Sequence, residues 1–433
     1  MDRLENFFKS KNLEIEARFG SFGDRNNFIS NNNRETFERI FSYLIKAGIK
    51  FEITKEKVLI TGNFNKIINL EDEMYNSYRT KTNMLNYDDG KRNIRISVSE
   101  EKNINEPNVV FDDNEYRIKE RFSFIENREK NIFYGIRIDL TIVNQKFKGK
   151  EHTAYEIEFE RINSANISYK DFMEKLNKFY YLIEGYTFLN IEGNEDVISK
   201  LILSQSEKQS IIEQYNKFLN LTPKFYGNLG IYRNEATNIK KKNLLSDDVL
   251  NFAVTTKLDG VRTFLFFHRQ NAYLVNAPFN IVCIARNISD VNSSTLYDGE
   301  LLDNGEYYMF DIVKDSKDTQ DKDLKERLDA IITKYKVNFI KLIKKEFYFG
   351  DFYKSTNTAL DKNKEFNKRN IGTDGIIIQS IDVPYKNEET YKWKDEKNLT
   401  IDFLVKKINN NNYNLLSRNK NTKNYVIFRG NSN

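Results

Sequence analysis

The sequence has few residues of the kinds that cross-link a chain or bind transition metals. It contains one cysteine, Cys283, and two histidines in 433 residues. A single cysteine excludes an intramolecular disulfide, and this count of cysteine and histidine leaves no zinc site of the usual kind. We therefore expect any bound metal ion to be held by carboxylate oxygens.

Long apolar segments are also lacking. The N-terminus, MDRLENFFKSKN, has no apolar core of the kind found in a signal peptide. The sequence has no run of about 18 or more apolar residues, the length needed to span a bilayer. We expect a soluble, intracellular protein with no role for a membrane.

Aromatic residues are abundant, with 33 phenylalanines and 25 tyrosines, and 39% of residues are hydrophobic. This composition predicts a folded globular protein despite 30% charged residues. Because single cores rarely grow past about 250 to 300 residues, the length predicts two or three domains. A net charge of +5 permits a nucleic-acid or polyphosphate substrate but does not require one.

One stretch, AVTTKLDGVRTFLFF, places Lys257 between two apolar runs. A lysine amine becomes a nucleophile when burial and neighbouring cations disfavour its charged form. Taken alone, an ordinary hairpin with Asp259-Gly260 at its turn explains the stretch better. The nucleophile interpretation therefore depends on motifs elsewhere in the chain.

Four further segments lie downstream in order. The segments are YDGELL at 297–302, YYMFDIV at 307–313, TDGIII at 373–378, and YKWK at 391–394 with DFLV at 402–405. Together with Lys257–Arg262, they resemble the motifs of the superfamily of mRNA guanylyltransferases and polynucleotide ligases. The ordered set spans about 150 residues. It predicts a mixed α/β nucleotidyltransferase domain.

The resemblance implies roles for individual residues. The implied catalytic residues are Lys257, Asp259, Arg262, Asp374, Lys392, Lys394 and Asp402. The implied GTP-binding residues are Arg262, Glu300, Phe310, Lys392 and Lys394. Lys257 would form a covalent bond to GMP, and Phe310 would stack on the purine. By spacing alone, a residue such as Phe310 is more often part of the core, and Asp374-Gly375 is an ordinary turn pair.

The first half of the chain has the alternation of an antiparallel sheet. Residues 13–20 place Glu14, Glu16 and Arg18 on one face, and strand-like segments come after them at meander spacing. The helices that we predict cover Phe37 to Leu44, the segment after Ser168, the segment from Ile211 to Leu219, and residues 322–345. Residues 354–370 are predicted to be a polar excursion before the next strand.

Charged residues cluster on single faces of these strands. Arg117, Lys119 and Arg121 share one face, Arg137, Asp139 and Thr141 a second, and Glu156, Glu158 and Glu160 a third. For any one strand, a solvated face is the simpler explanation. Like charges repel along a sheet, however, so a closed barrel with these faces turned inward accounts for all of them together. Such a cavity suits Mg²⁺ or Mn²⁺ and a polyphosphate.

These strands resemble the triphosphate tunnel metalloenzymes, and most closely the RNA triphosphatases of fungi and large cytoplasmic DNA viruses. The resemblance covers residues 10–165 and implies metal-dependent hydrolysis of the γ-phosphate at an RNA 5′ end. The implied metal ligands are Glu14, Glu16, Glu156, Glu158 and Glu160. The implied triphosphate-binding residues are Arg79, Arg117, Lys119, Arg121, Arg137 and Asp139, with Arg92 and Arg95 as alternatives to Arg79.

Together the two resemblances predict an α+β multidomain capping enzyme. We expect an antiparallel β-barrel domain at 1–220, a guanylyltransferase domain at 221–405, and the start of an OB-fold at 406–433. Residues 220–250, which include the run Lys240–Lys242, are a candidate linker. The alternatives are an ATP-dependent ligase with an unrelated barrel, and a non-catalytic RNA-binding factor.

Two departures from the superfamily pattern are visible. Where many members have an arginine after the nucleophile strand, this chain has Tyr273-Leu-Val-Asn276, and the sequence ends too soon after Asp402 for a whole OB-fold. We therefore expect a fragment of a longer enzyme. The implied substrates are GTP and 5′-triphosphate RNA, and the implied partners are an RNA polymerase and a methyltransferase. The resemblance to cytoplasmic viral and linear-plasmid enzymes implies a cytoplasmic or virion location.

Overall fold

The structure is a computed structural model that describes residues 2–10, 12–23, 27–70, 76–126, 128–129, 131–221, 235–239, 251–276, 280–394, 403–409, 412–418 and 425–427. Asp402, Lys240–Lys242 and most of the predicted linker at 220–250 lie outside these residues. Across the described ranges, every helix is too short or too polar to cross a membrane.

Ten strands form in the first half of the chain. They are β1 (Glu14–Phe19), β2 (Ser21–Phe22), β3 (Phe28–Ile29), β4 (Phe51–Thr61), β5 (Phe64–Asn69), β6 (Asn76–Asp89), β7 (Ile94–Ile104), β8 (Tyr116–Ile125), β9 (Ile136–Phe147) and β10 (Lys150–Arg161). Eight of them close into an antiparallel barrel in the order β1-β10-β9-β8-β4-β5-β6-β7. This confirms the predicted barrel. The sequence did not predict β5, whose six residues, FNKIIN, lack regular alternation.

Helices cover the outer face of the barrel and continue toward the second half. They are α1 (Asp2–Phe7), α2 (Arg34–Lys46), α3 (Tyr169–Ile183), α4 (Glu195–Leu201) and α5 (Gln205–Phe218). Helix α2 buries Phe37, Ile40 and Leu44, as the sequence pattern predicts. Helix α3 packs Phe179 against Phe159 of β10 with ring centroids 5.2 Å apart. The alternating strands therefore bury an apolar face beneath these helices and turn their charged face inward.

Side chains at the helix N-termini explain where the helices begin. The Asn33 side chain accepts a hydrogen bond from the Thr36 amide at the start of α2. Ser168 with Asp171, and Ser204 with Glu207, form capping boxes at the starts of α3 and α5. The predicted helix start at Ser168 is confirmed.

The second half contains two mixed sheets. Its strands are β11 (Thr237–Asn238), β12 (Phe252–Leu258), β13 (Val261–His268), β14 (Asn271–Asn276), β15 (Asn280–Ala285), β16 (Thr295–Leu301), β17 (Glu306–Lys314), β18 (Lys341–Lys344), β19 (Thr373–Ser380) and β20 (Thr390–Lys394). One sheet has the order β15-β14-β13-β16-β17-β18 and the other the order β11-β20-β19-β12. The helices here are α6 (Leu324–Asp329) and α7 (Phe352–Lys368), with 3-10 turns at Thr319–Asp321 and Tyr385–Asn387. The mixed α/β prediction is confirmed.

The predicted helix at 322–345 is wrong. Only Leu324–Asp329 is helical, and residues 330–340 continue without regular structure. Strand β18 then pairs in parallel with β17 at the edge of the six-stranded sheet. Buried Ile331 and Ile340 anchor the irregular segment in the core, so tertiary packing overrides the local helical spacing.

The predicted polar excursion at 354–370 is also wrong, because helix α7 occupies Phe352–Lys368. The Asp351 side chain caps its first turn by accepting a hydrogen bond from the Lys354 amide, 2.7 Å away. The buried face of the helix is mostly small or polar and consists of Ser355, Ala359, Asn363 and Phe366. This face carries little of the hydrophobic periodicity by which sequence patterns reveal a helix.

The C-terminal strands β21 (Leu404–Asn409), β22 (Asn412–Arg418) and β23 (Tyr425–Ile427) form a three-stranded sheet. Whether it begins an OB-fold stays a prediction, as do the domain boundaries. The N-terminal helices pack against the six-stranded sheet, because the Tyr215 ring meets Phe266 at 5.4 Å and the Tyr186 hydroxyl donates to the Cys283 carbonyl at 2.8 Å. The barrel and this sheet therefore share one hydrophobic core.

Gly375 is required by the close pairing of β19 with β20. A Cβ at this position would lie 1.9 Å from the Trp393 carbonyl oxygen, and its φ of +155° is rarely adopted by other residues. We expect Gly375→Ala to lower the free energy of unfolding by about 2 to 3 kcal/mol, measured by urea denaturation. Gly90→Ala is the control, since a Cβ there meets no heavy atom within 4 Å. Equal stability of the two variants would contradict this account.

Candidate active sites

The barrel encloses a charged cavity of about 290 Å³. Eight carboxylates and seven cationic side chains line it, together with Asn65 and three aliphatic residues. Every residue that the sequence predicted as a metal ligand or triphosphate-binding group faces this cavity: Glu14, Glu16, Glu156, Glu158, Glu160, Arg79, Arg117, Lys119, Arg121, Arg137 and Asp139. Their catalytic roles stay predictions.

Strand register brings like charges together in the cavity. Glu16 of β1 lies directly opposite Glu160 of β10, and Arg18 lies opposite Glu158. Burial, together with the neighbouring carboxylate of Glu158, raises the pKa of Glu16 to about 7. Burial is also the main reason that the pKa of Glu160 rises to about 8, although Arg137 opposes the shift. The two carboxyl groups thus hold their protons more tightly than ordinary glutamates, because the neighbouring cations only partly offset their burial.

Cations from facing strands partly neutralise this wall. The Lys81 ammonium lies 2.7 Å from Glu14 and 3.3 Å from Glu101. Although burial acts to lower the pKa of Lys81, Glu16 and Glu14 raise it, so the side chain stays charged. Lys81 and Glu101 were not predicted as site residues. The alternation Arg79-x-Lys81 in β6 was the available signal for Lys81.

The basic strand β8 neutralises other carboxylates. Arg117 Nη2 lies 2.6 Å from Glu156 Oε1, and Arg121 Nε lies 3.7 Å from Asp139 Oδ2. Burial acts to raise the pKa of Glu158, but nearby Lys119 and Arg121 hold it below its ordinary value. Glu158 is therefore charged in the folded protein.

The residues present fit a divalent cation. Among the residues that the structure describes, Asp139 Oδ1 and Thr141 Oγ1 are buried without a hydrogen-bond partner. The same residues contain no group of three acidic, histidine or cysteine side chains already arranged around a metal position. The chemistry of the lining still suits a metal ion, because hard cations such as Mg²⁺ prefer oxygen ligands and the crowded carboxylates are only partly compensated by cations.

Arg79, Arg92 and Arg95 were alternatives for one triphosphate-binding position, and the structure places them differently. Arg79 lines the cavity. Arg92 donates to Asp89 at 2.6 Å, and Arg95 donates to Asp88 at the same distance. Neither Arg92 nor Arg95 is among the residues that line the cavity.

The second site lies where β12, β19 and β20 meet. Lys257 Nζ lies 2.7 Å from Asp374 Oδ1, and Lys394 Nζ lies 2.5 Å from Asp374 Oδ2. Although burial opposes it, the two lysines lower the pKa of Asp374, so the carboxylate is charged. The Lys257 side chain is 21% exposed. Lys257 is therefore partly buried and held in an ion pair with Asp374.

Arg262 is fixed from beneath by a buried carboxylate. Its Nε donates to Asp298 Oδ1 at 3.0 Å, and the Tyr385 hydroxyl donates to Asp298 Oδ2 at 2.8 Å. Asp298 is fully buried. The Arg262 guanidinium lies 5.4 Å from the centre of the Phe310 ring. The sequence analysis did not single out Asp298, so its positioning role was missed.

A cavity of about 130 Å³ surrounds this cluster, and its walls include Lys257, Arg262, Glu300, Phe310 and Ile377. Glu300 Oε1 accepts a hydrogen bond from the Gly260 amide at 3.2 Å. Four other predicted residues that the structure describes are not part of the lining, namely Asp259, Asp374, Lys392 and Lys394, and Asp402 is outside the described residues. Their roles stay predictions.

Lys345 also lines this cavity and was missed by the sequence analysis. It is 4% exposed, and its ammonium lies 5.3 Å from the centre of the Phe310 ring. Burial lowers the pKa of Lys345 to about 8, with Lys257 and Arg262 reinforcing the shift and Glu300 opposing it. Lys345 comes directly after β18, at the end of the segment that was wrongly predicted as helical. Because of that error, the sequence analysis did not place it near the pocket.

A closed eight-stranded antiparallel barrel lined by acids and bases is the architecture of the triphosphate tunnel, and the mixed sheets beside it make the chain an α+β multidomain protein. No protein-family model matches the chain. A probable mRNA-capping enzyme of Acanthamoeba polyphaga mimivirus is 27% identical over 300 residues, which are 65% of this chain and 21% of that protein. The chain thus spans about a fifth of that relative's length. The predicted resemblance to capping enzymes is confirmed by this match.

Solved structures give a similar result. The RNA triphosphatase domain of a trifunctional mimivirus capping enzyme is 19% identical, with a TM-score of 0.32, over 42% of this chain and 96% of that chain. The RNA triphosphatase Pct1 of S. pombe is 19% identical, with a TM-score of 0.31, over 38% of this chain and 77% of that chain. Because these values are low, the fold assignment rests on the closed barrel and its charged interior.

Replacing Lys345 with methionine is expected to stabilise the protein at neutral pH. The pKa of Lys345 in the folded state is below the ordinary lysine value, so burying its charge destabilises the folded protein. This destabilisation is complete below about pH 8 and decreases as the pH rises toward the pKa of the unfolded state. We expect a gain of about 1 to 3 kcal/mol in the free energy of unfolding at pH 7, measured by urea denaturation, and a smaller gain near pH 9.5.

Lys341→Met is the matched control, because the Lys341 side chain is 75% exposed on the adjoining strand. It should leave stability nearly unchanged at both pH values. A Lys345→Met variant that is no more stable than this control at pH 7 would show that the buried charge is fully compensated.

Proposed function

We propose that the chain is a bifunctional mRNA-capping enzyme. The barrel removes the γ-phosphate from the 5′-triphosphate end of RNA. The second site then transfers GMP from GTP to the resulting diphosphate end through a lysyl-N-GMP intermediate. The observation that carries the proposal is the presence, in one chain, of a charged tunnel and a separate pocket built around Lys257.

The tunnel chemistry depends on its lining. Arg79, Arg117 and Lys119 would bind phosphate oxygens, because guanidinium and ammonium groups form charge-assisted hydrogen bonds to them. Hydrolysis transfers the γ-phosphoryl group to water, so the bond between the γ-phosphorus and the bridging oxygen breaks and inorganic phosphate leaves. Cations around the phosphoryl group stabilise the charge that develops.

Glu14, Glu16, Glu156, Glu158 and Glu160 would hold a divalent ion, either Mg²⁺ or Mn²⁺. When bound, the ion would supply Lewis-acid stabilisation of charge on the γ-phosphoryl oxygens. Lys81 and Arg137 would keep the surrounding carboxylates in place through their ion pairs. The ion would also supply countercharge to Glu16 and Glu160, whose pKa values are raised by burial and by neighbouring carboxylates.

In the second site, Lys257 Nζ would attack the α-phosphorus of GTP, forming an N–P bond as the P–O bond to pyrophosphate breaks. The amine must lose a proton first, and Asp374, 2.7 Å away, orients it. Lys394, paired with the same carboxylate, would hold α-phosphate oxygens once GTP enters. Phe310 would stack on the purine, and Arg262 would bind the nucleotide from its fixed position on Asp298.

The combination of sites favours capping over ligation. A ligase would use the second pocket but would have no need for a polyphosphate tunnel, whereas capping requires a diphosphate end before GMP transfer. The similarity to a mimivirus protein named as a probable mRNA-capping enzyme supports the same choice. An RNA polymerase, a methyltransferase and a cytoplasmic setting stay predictions from the resemblance.

Labelled nucleotide tests the second site. Incubation with α-labelled GTP and Mg²⁺ or Mn²⁺, followed by denaturing electrophoresis, should give a labelled protein band, and Lys257→Ala should abolish it. Lys257→Arg should abolish the labelled band too, because arginine keeps the charge beside Asp374 but is always protonated and cannot act as a nucleophile. Label from ATP alone would identify a ligase. Label that persists in both variants would refute Lys257 as the nucleophile.

Phosphate release from γ-labelled triphosphate RNA tests the tunnel. Glu160→Ala and Glu14→Ala should each reduce release by roughly 100-fold or more, because each removes a preorganised charged group from the reaction centre. Glu151→Ala is the control, since Glu151 is an exposed residue on the same strand as Glu160. All three variants should form the GMP adduct normally. Undiminished release in the two tunnel variants would exclude the barrel as the triphosphatase site.

A further inference from the structure

One wall of the tunnel is aliphatic. Val58 and Ile60 of β4 and Ile67 of β5 line the cavity, and the remaining lining residues are charged except for Asn65. Val58 lies directly opposite Ile67, and Ile60 lies opposite Asn65, in the antiparallel pairing of the two strands. Val58, Ile60 and Ile67 therefore form one patch, which we call the aliphatic wall, and Asn65 lies at its edge.

The aliphatic wall is not ordinary core packing. Val58 is buried, but Ile67 is half-buried and Ile60 is 51% exposed, although both face the cavity. Apolar surface that faces a hydrated, charged cavity gains nothing from burial until another apolar group covers it. A polar residue at these positions would suit an empty tunnel better. The wall therefore fits a ligand that has an apolar part.

Phosphate-binding groups stand at both edges of the aliphatic wall. Arg117 of β8 lies directly opposite Val58, and Arg79 of β6 lies directly opposite Asn65. Within the described part of the chain, the buried Nε atoms of both arginines have no hydrogen-bond partner. Donors for an anion thus flank a surface that can bind neither phosphate nor a metal ion.

We infer that the aliphatic wall is the subsite for the first nucleoside of the triphosphate-bearing substrate. The ribose and base pack against Val58, Ile60 and Ile67, while Arg79 and Arg117 bind the phosphates nearest to that nucleoside. This inference rests on the proposed triphosphatase activity of the tunnel. It adds that the tunnel selects a nucleoside-linked triphosphate over inorganic tripolyphosphate.

The test compares two substrates on the full chain. Phosphate release is measured from a 5′-triphosphate RNA oligonucleotide and from inorganic tripolyphosphate, with Mg²⁺ or Mn²⁺, for the wild type, Ile60→Ser and Ile67→Ser. We expect each substitution to raise KM for the RNA about 5- to 10-fold, because each removes apolar contact with the nucleoside. KM for tripolyphosphate should stay within about twofold of the wild type, since this substrate has no nucleoside.

Ile53→Ser is the matched control. Ile53 lies on the same strand as Ile60 and is 46% exposed against 51%, but it is not among the residues that line the cavity. The loss of an exposed isoleucine from β4 therefore affects Ile53→Ser and Ile60→Ser alike, and only the position relative to the tunnel differs. We expect Ile53→Ser to match the wild type on both substrates.

Two results would overturn the inference. Equal rises in KM for RNA and tripolyphosphate would mean that the aliphatic wall only shapes the cavity, and an unchanged KM for RNA would mean that it touches no nucleoside. A wild type that releases phosphate from tripolyphosphate but uses RNA no better would reject the subsite alone. A wild type that acts on neither substrate would reject the proposed triphosphatase function itself.

Discussion

Closure of the barrel is the constraint on which the first site depends. Once β1 pairs with both β10 and β7, the charged faces of eight strands must share one interior. Glu16 and Glu160 then become direct cross-strand neighbours, an arrangement that destabilises an ordinary sheet. Lys81 forms an ion pair with Glu16, and Arg137 forms one with Asp139, and these ion pairs offset part of the cost. Under the proposed function, a bound cation and a polyphosphate would offset the imbalance that remains.

The second site also contains buried carboxylates that need compensation, but it has fewer charged side chains. Asp298 is fully buried, yet it is compensated by Arg262 and by the Tyr385 hydroxyl. Asp374 is shared between Lys257 and Lys394. Asp298 and Asp374 thus each position a cation rather than facing another carboxylate. The nucleotide of the proposed function would take over these cations as it enters.

Strict periodicity in the sequence predicted much of the fold. Alternation of period two identified the inward faces of β1, β8, β9 and β10, and ordered motifs located Lys257 and Phe310. Helix α7 was missed because three of its buried residues are small or polar, and Lys345 was missed because tertiary packing replaced the expected helix with β18. The aliphatic wall was invisible for a related reason. Isoleucine in a strand predicts core unless it is known which face closes around a cavity.

Helix α5 joins the barrel to the six-stranded sheet, so that one chain holds both sites. Helix α5 packs Tyr215 on Phe266 of the six-stranded sheet, and Gln214 on the same helix contacts His268 at 2.5 Å. These contacts fix the barrel against the six-stranded sheet through neutral groups. No described residue lines both cavities. Because the two linings have no described residue in common, a substitution in one cavity removes no group from the lining of the other.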